Sequence, residues 1–188
     1  MGAAWPLMDA CYAVRPALPA DLAALPAIER VAGQRFAAED LPPALRDQAL
    51  PQRMLQRALL DGWLWVAVRA GAGGVGQPVG FALGMALAPG LALLAEIDVL
   101  PAHGRRGLGA ALIGHMAQAA CVRGHGQLAL VTFEHLPWNA PMYEKLGFVR
   151  RRPDDPTLHP LLRDALDDDA ARGLRRRVVM TLALTDPQ

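Results

Sequence analysis

The chain has 188 residues, of which 53% are apolar and 20% are charged, a composition typical of a globular protein with a sizeable core and not of a disordered chain. Its 19 basic and 18 acidic residues leave a net charge of +1. This balance excludes a general nucleic-acid-binding surface, because such a surface needs a basic excess to displace counterions from phosphates. Lys145 is the only lysine, so arginine carries nearly all of the basic charge.

The N-terminal half of the chain alternates between helical spacing and short apolar runs. Its predicted elements, in chain order, are a strand over Tyr12–Arg15, helices over Pro19–Ala32 and Pro43–Leu60, and strands over Trp63–Val68, Val79–Leu87 and Leu91–Val99. The stretch from Ala70 to Ala95 has no charged residue and is long enough to span a bilayer. Because glycines and prolines divide it, we interpret it as two strands with turns at Gly71–Pro78 and Pro89–Gly90, and we expect no membrane association.

The C-terminal half begins with the strongest helical pattern of the chain. Its predicted elements are a helix over Gly107–Arg123, a strand over Gln127–Phe133, a helix over Asn139–Leu146, a strand over Phe148–Arg152, a helix over Pro160–Arg172 and a strand over Arg177–Leu184. Gly147 and Gly173 stand where the two later helices are expected to end.

This order of elements mixes antiparallel hairpins with at least one β-α-β crossover, which predicts an α/β (α+β) fold around a mixed central sheet. No internal repeat or linker divides the chain, so we expect one domain over residues 1–188, with residues 1–10 as a flexible N-terminal segment. Cys11 and Cys121 lie outside any Cys/His cluster, which predicts free thiols in a reducing compartment and no metal site. The N-terminus also lacks the basic segment of a secretory signal, and we expect a cytoplasmic protein.

The segment from Glu96 to Leu112 carries most of the chemical information. A predicted strand ends there in a loop whose glycines are Gly104, Gly107 and Gly109 and whose arginines are Arg105 and Arg106. A helix follows, and the first N–H groups of a helix have no acceptor within it, while its dipole adds partial positive charge. Glycines let a phosphate approach the backbone, and arginines offer forked donors to phosphate oxygens. The residues alone therefore predict a pyrophosphate site.

Two common phosphate motifs fit this loop poorly. It lacks the Gly-Lys-Ser/Thr ending of a P-loop, and Leu112 stands where a dinucleotide fingerprint has its third glycine. A nucleotide-binding protein stays as an alternative, and an ordinary glycine turn before a helix is the structural alternative.

Val99-x-Pro101 followed by Arg105-Arg106-Gly107-Leu108-Gly109-Ala110 resembles the acyl-CoA pyrophosphate loop of the GNAT superfamily of N-acetyltransferases, usually written Gln/Arg-x-x-Gly-x-Gly/Ala. Gly104 stands where the family has Gln or Arg, so one side-chain contact is missing, and Arg105 or Arg106 could supply it. The run from Asn139 to Phe148 resembles the later family motif Asn-x-x-x-Tyr-x-x-x-Gly-Phe. With a first strand and helix similar to Val14–Asp21, the resemblance covers roughly residues 12–152.

The resemblance implies a GNAT-like mixed sheet with a β-α-β cofactor-binding core, opened near Val99 to admit the pantetheine arm. It implies acetyl-CoA as co-substrate, no metal, and transfer of the acetyl group to a primary amine by direct attack in a ternary complex. The residues implied to bind the cofactor are Val99, Leu100, Gly104, Arg105, Arg106, Gly107, Leu108, Gly109, Ala110, Asn139 and Tyr143.

The chemistry of amine acetylation also needs a base and a proton donor, because an amine near neutral pH is largely protonated and the leaving group is a thiolate. Glu96 and Asp98 project from one face of an apolar strand, where desolvation raises a carboxyl pKa. We select Glu96 first and Asp98 second as the base; pairing with Arg105 or Arg106 is the alternative. The resemblance places Tyr143 beside the cofactor sulfur as proton donor, with core packing as its alternative role. Asn139 either caps its helix or binds the pantetheine arm.

The expected partners are a small-molecule amine or a protein amine as acceptor, with no nucleic acid and no membrane, and a homodimer is possible. The sequence does not identify the acceptor. A non-catalytic acyl-CoA-binding or sensor module on the same fold is the alternative function, although the intact Tyr143 and the Glu96/Asp98 pair favour an enzyme.

Overall fold

The computed structural model describes residues 7–69 and 76–185. The expected turn at Gly71–Pro78 and the expected flexible segment over residues 1–10 fall partly outside these ranges. The helices are α1 (Leu25–Gly33), α2 (Pro43–Arg46), α3 (Gln52–Leu60), α4 (Leu108–Val122), α5 (Ala140–Lys145) and α6 (Pro160–Ala171). The strands are β1 (Tyr12–Pro16), β2 (Leu64–Arg69), β3 (Pro78–Ala88), β4 (Leu91–Val99), β5 (Gln127–Phe133), β6 (Val149–Arg151) and β7 (Arg177–Ala183).

The strands hydrogen-bond in the order β1-β2-β3-β4-β5-β7-β6. The β4–β5 pair is parallel, with α4 as the crossover between them, whereas β5–β7 and β6–β7 are antiparallel. A mixed sheet with flanking helices confirms the predicted fold class. In the described ranges, no helix has both the length and the apolar character that crossing a membrane requires.

The predicted helix over Pro43–Leu60 is wrong, because the structure has two helices, α2 and α3, in its place. Pro51 has no N–H to donate, and a residue before proline is disfavoured in the helical region. The preceding residue, Leu50, instead donates its N–H to Oε2 of Glu29, at 2.7 Å. The predicted helix over Pro19–Ala32 also begins later, since α1 starts at Leu25 after a 3-10 turn over Pro19–Asp21. Pro26 therefore sits in the first turn of α1, where a missing N–H costs nothing.

Contacts between Cα atoms group the chain into two compact units, which share β3, β4 and α4 along the chain. The first unit comprises Trp5–Met85 and Leu94–Ala119. Buried side chains of α4 recur every four residues in this unit, at Leu108, Leu112 and Met116. The fully buried side chains of the first unit include Leu25, Leu55, Leu64, Phe81, Leu83, Leu108, Leu112, Ile113 and Met116. Burying side chains of this size contributes about 1.5–3 kcal/mol each, so they hold the start of α4 in a fixed position within this unit.

The second unit comprises Ala86–Leu93 and the described residues from Ala120 onwards. The parallel ladder of β4 and β5 joins Leu91–Leu93 to Gln127–Ala129. One core cluster of this unit combines residues of the sheet with residues of and before α6: Leu91, Ala129, Leu158, Leu162 and Val179. This core fixes β5, which leads towards the Asn139–Phe148 motif.

Candidate active site

The chain passes from β4 to α4 through residues 100–107, which we call the glycine-arginine loop. The Leu100 N–H donates to the Val79 carbonyl at 2.8 Å, and a 3-10 turn over Pro101–His103 follows. The first backbone bond of α4 joins the Ala111 N–H to the Gly107 carbonyl, at 2.9 Å. The N–H groups that precede Ala111 in the helix therefore have no acceptor within it, and together with the helix dipole they favour binding of an anion at this end.

The three glycines of this region have different surroundings. Among the described residues, a Cβ atom added at Gly109 would meet no atom within 4 Å, so none of them covers the backbone there. A Cβ atom at Gly104 would lie 3.2 Å from the Pro101 carbonyl oxygen. Gly107 has φ of +78°, and its Cβ atom would lie 2.8 Å from the carbonyl oxygen of Leu7. The explanation that all three glycines make room for a phosphate is therefore wrong for Gly107, because a segment of the chain itself occupies that side.

The two arginines of the loop also differ. Arg106 forms an ion pair with Asp9, at 3.1 Å between Nη1 and Oδ2, and its guanidinium carbon lies 5.7 Å from the Tyr12 ring centroid. Both arginines are exposed, and Arg105 has φ of 60°, a left-handed conformation that residues with a side chain rarely adopt. Arg106 pairs with Asp9, so the alternative in which Arg106 pairs with Glu96 or Asp98 is wrong.

Glu96 and Asp98 lie on the part of β4 that belongs to the first unit. Oδ2 of Asp98 is shielded from solvent and has no hydrogen-bond partner. Burial raises the pKa of Asp98 well above its usual range, and repulsion from Glu96 and Glu29 raises it further. Oε1 of Glu96 accepts a bond of 3.3 Å from the Ile97 N–H. Strand β3 approaches closely here, because a Cβ atom at Gly80 would lie 2.8 Å from the Asp98 carbonyl oxygen.

Glu29 is a third carboxylate of this group that the sequence analysis did not assign to the site. It projects from α1, is half-buried, and burial raises the pKa of its carboxyl although the Leu50 N–H and Arg30 oppose this rise. The available signal was a charged residue at a helical position between the buried Leu25, Ile28 and Ala32. Glu29, Glu96 and Asp98 together make the first unit locally acidic where β4 approaches the loop.

Tyr143 and Asn139 lie in the second unit, on and just before α5. Tyr143 is buried and packs edge-to-face on Phe148, with ring centroids 5.6 Å apart. Asn139 occupies the N-cap position of α5, but its side chain makes no capping bond. Its Nδ2 instead donates to the hydroxyl of the buried Thr132 on β5, at 2.7 Å. The capping role expected for the Asn139 side chain is therefore wrong, and Thr132 is a neighbour that sequence reasoning missed.

The structure thus brings part of the predicted site together within each unit. The first unit holds the glycine-arginine loop, Val99 and the β4 carboxylates, and the second holds Asn139 and Tyr143. Trp138, which directly precedes Asn139, is 38% exposed. In residues 7–69 and 76–185, no group of three His, Cys, Asp or Glu side chains is arranged to hold a metal ion.

Comparison with known families gives a match over the middle of the chain. Residues 61–150 match the family model described as acetyltransferase (GNAT) domain. The matched region runs from the turn before β2 to β6, so it contains the glycine-arginine loop, both β4 carboxylates and the Asn139–Phe148 motif.

Solved structures from three organisms have the same fold. Rv2747 from Mycobacterium tuberculosis, in complex with CoA and NLQ, is 18% identical with a TM-score of 0.65, over 92% of this chain and 99% of that one. N-acetylglutamate synthase from Neisseria gonorrhoeae, complexed with coenzyme A and N-acetyl-glutamate, is 17% identical with a TM-score of 0.69, over 94% of this chain and 36% of the synthase. The ribosomal-protein-S18-alanine N-acetyltransferase from Escherichia coli is 22% identical with a TM-score of 0.59, over 94% of this chain and 96% of that one. At these identities the likeness concerns the fold.

Proposed function

Because residues 61–150 match the model of the acetyltransferase (GNAT) domain, we propose that the chain transfers an acetyl group from acetyl-CoA to a primary amine by direct attack in a ternary complex. The observation that carries the proposal is the start of α4, where no atom of residues 7–69 and 76–185 lies within 4 Å of a Cβ atom at Gly109 and where Arg105, in the preceding loop, is exposed. Two of the compared structures are complexes with coenzyme A, which supports the same cofactor here.

The pyrophosphate of the cofactor accepts bonds from backbone N–H groups between Gly104 and Ala110, with Arg105 supplying a guanidinium. Val99 and Leu100 contact the pantetheine arm where β4 ends. In the second unit, Asn139 and Tyr143 are the residues that we assign to the pantetheine arm and the sulfur atom. The bond from Asn139 Nδ2 to the Thr132 hydroxyl holds this side chain in one orientation.

The chemical step is a substitution at the thioester carbonyl. The amine nitrogen attacks the carbonyl carbon, a C–N bond forms and the C–S bond breaks. Glu96 removes a proton from the amine, directly or through water, and Tyr143 gives a proton to the departing thiolate. A backbone N–H at the end of β4 donates to the carbonyl oxygen as negative charge develops on it.

Asp98 stands as the second carboxylate of this step. Its raised pKa makes the deprotonated carboxylate a stronger base than an ordinary aspartate, so once it has lost its own proton it accepts one from an incoming ammonium group. Glu29 and Glu96 add negative charge that attracts the cationic amine.

Direct attack is favoured over an acyl-cysteine intermediate. Cys121 lies at the end of α4, and its thiol donates to the Thr185 carbonyl at 3.5 Å.

The acceptor is a small-molecule or protein amine, and the free state of Cys11 and Cys121 supports a cytoplasmic location. The molar mass from light scattering after size-exclusion chromatography tests whether the protein forms a homodimer.

Release of the CoA thiol from acetyl-CoA, measured with a panel of primary amines, tests the function. The panel includes amino acids, polyamines, aminoglycosides and peptides with different N-terminal residues, and calorimetry with CoA is run in parallel. We expect thiol release that depends on one class of amine, and mass spectrometry finds the acetylated amine. Tight CoA binding without turnover of any amine would contradict the enzyme and favour an acyl-CoA sensor.

A further inference from the structure

The segment Leu7–Tyr12, which we call the N-terminal brace, lies against the glycine-arginine loop within the first unit. The Asp9 N–H donates to the Arg106 carbonyl at 3.1 Å, and the Asp9 carboxylate pairs with the Arg106 guanidinium at 3.1 Å. The Cys11 N–H donates to the other carboxylate oxygen of Asp9 at 2.9 Å, which fixes the side chain. The brace and the loop are therefore joined by one backbone bond and one ion pair at the same residue pair.

Tyr12 joins the brace to the other end of the loop. Its hydroxyl lies 2.8 Å from Nδ1 of His103, and its ring meets the His103 ring edge-on at 5.7 Å. The same ring lies beneath the Arg106 guanidinium, at 5.7 Å. Tyr12 is 7% exposed, so it is an anchored point from which both His103 and Arg106 are held.

Gly107 shows that the two segments are built to fit. A Cβ atom at Gly107 would lie 2.8 Å from the Leu7 carbonyl oxygen and 3.1 Å from the Met8 Cα atom. The backbone of the brace therefore occupies the side of Gly107 that a side chain would need. Gly109, in contrast, faces open space.

We propose that the N-terminal brace positions the glycine-arginine loop for the cofactor, with Asp9 and Tyr12 as positioning residues. This inference rests on the proposed function. Arg106 is held by Asp9 and Tyr12, so its charge is balanced within the protein. Arg105 is exposed and is fixed at φ of 60° by the loop around it.

The alternative is that the same contact has the opposite effect, in which the Asp9 carboxylate competes with a cofactor phosphate for the Arg106 guanidinium. The competing carboxylate would weaken cofactor binding, and its removal would tighten it. The backbone bond from Asp9 to the Arg106 carbonyl and the fit at Gly107 favour positioning, because neither of them blocks the guanidinium.

A charge exchange at the pair separates these roles. Asp9→Asn keeps the shape and the acceptor for Cys11, and it is expected to raise the Kd for CoA about two- to fivefold, the range for losing an exposed ion pair. Arg106→Asp alone is expected to weaken binding more. Combining Asp9→Arg with Arg106→Asp restores the pair in reverse and is expected to recover affinity to within about twofold of the wild type.

Asp154→Asn, which breaks the exposed Arg152–Asp154 pair in the other unit, is the matched control and leaves the Kd unchanged.

Kinetics and salt dependence add readouts that a loss of folding would not move. Asp9→Asn is expected to raise the KM for acetyl-CoA with little change in kcat. Arg105→Gln is expected to reduce the salt dependence of CoA binding, whereas Arg106→Gln leaves it close to the wild type. Tighter binding by Asp9→Asn, no change in binding, or a double exchange weaker than Arg106→Asp alone would each overturn the proposal.

Hydrogen exchange of residues 101–109 in the free protein keeps the inference separate from the proposed function. Asp9→Asn is expected to accelerate exchange in these residues whether or not the wild type binds CoA. If the wild type fails to bind CoA, the proposed function fails, and unchanged exchange in the variant would overturn the brace on its own.

Discussion

Gly109→Ala should separate stability from cofactor binding. Gly109 is the second residue of α4, and a Cβ atom there would meet nothing within 4 Å. Replacing a helical glycine by alanine stabilises a protein by about 0.5–1 kcal/mol, which for a chain of this size raises Tm by about 1–4 °C. The same methyl group stands where we place the cofactor phosphates. Loss of one hydrogen bond to a charged group costs about 1.5–3 kcal/mol, so CoA affinity should fall about tenfold or more.

The control for this substitution is Gly107→Ala. At φ of +78° alanine costs about 1–2 kcal/mol in backbone strain, and its Cβ atom would also lie 2.8 Å from the Leu7 carbonyl oxygen. This variant should therefore lose stability. Thermal unfolding and calorimetry with CoA are measured on both variants. If Gly109→Ala bound CoA as tightly as the wild type, the start of α4 would not be the phosphate site, and the reasoning would be refuted.

Three further substitutions test the acid and base groups. Tyr143→Phe should lower kcat about 100-fold with less than about a twofold change in CoA affinity, because a positioned proton donor acts on the thiolate and not on the bound cofactor; a change confined to KM would make Tyr143 a binding residue only. Glu96→Gln should lower kcat/KM most at low pH, where deprotonated amine is scarce, and equal rates for variant and wild type across the pH profile would remove Glu96 as the base. Asp98→Asn should gain stability over the wild type as pH rises. The pKa of Asp98 is raised in the folded state. Its stabilising contribution to the free energy of unfolding is therefore present below the pKa of the unfolded state, about 3.9, and is lost as pH rises through the pKa of the folded state, at about 1.4 kcal/mol for each unit between the two pKa values. Urea unfolding from about pH 4 to about pH 8 checks this, and a constant difference between variant and wild type would contradict it.

The regular elements were predictable where local pattern and packing agree. Strands β4 and β5 have the predicted bounds, Leu91–Val99 and Gln127–Phe133, because short apolar runs between turn residues leave little choice of structure. The glycine spacing and the Asn139–Phe148 motif indicated the GNAT family, and residues 61–150 match the model of the GNAT acetyltransferase domain. The helix over Pro43–Leu60 was wrong because apolar spacing alone does not register the break that Pro51 imposes.

Contacts between distant residues could not be predicted from spacing. Asp9 and Arg106 are 97 residues apart, and nothing in either neighbourhood indicates the other. Asn139 bonds to Thr132 instead of capping α5, a choice that depends on where β5 ends. Glu29 acts on the Asp98 carboxyl only because α1 packs within the same unit. Its local sequence indicated a charged residue among buried ones but did not indicate which groups lie near it. The roles of Glu96, Asp98 and Tyr143 stay predictions that the substitutions above test.

Initial rates over a matrix of acetyl-CoA and amine concentrations test the central claim most directly. Direct attack in a ternary complex requires both substrates to be bound together, so double-reciprocal plots should intersect, with one acetylated amine formed for each CoA thiol released. Parallel lines would indicate a covalent acyl-enzyme and contradict direct attack. Absence of thiol release with every amine would contradict acetyl transfer itself.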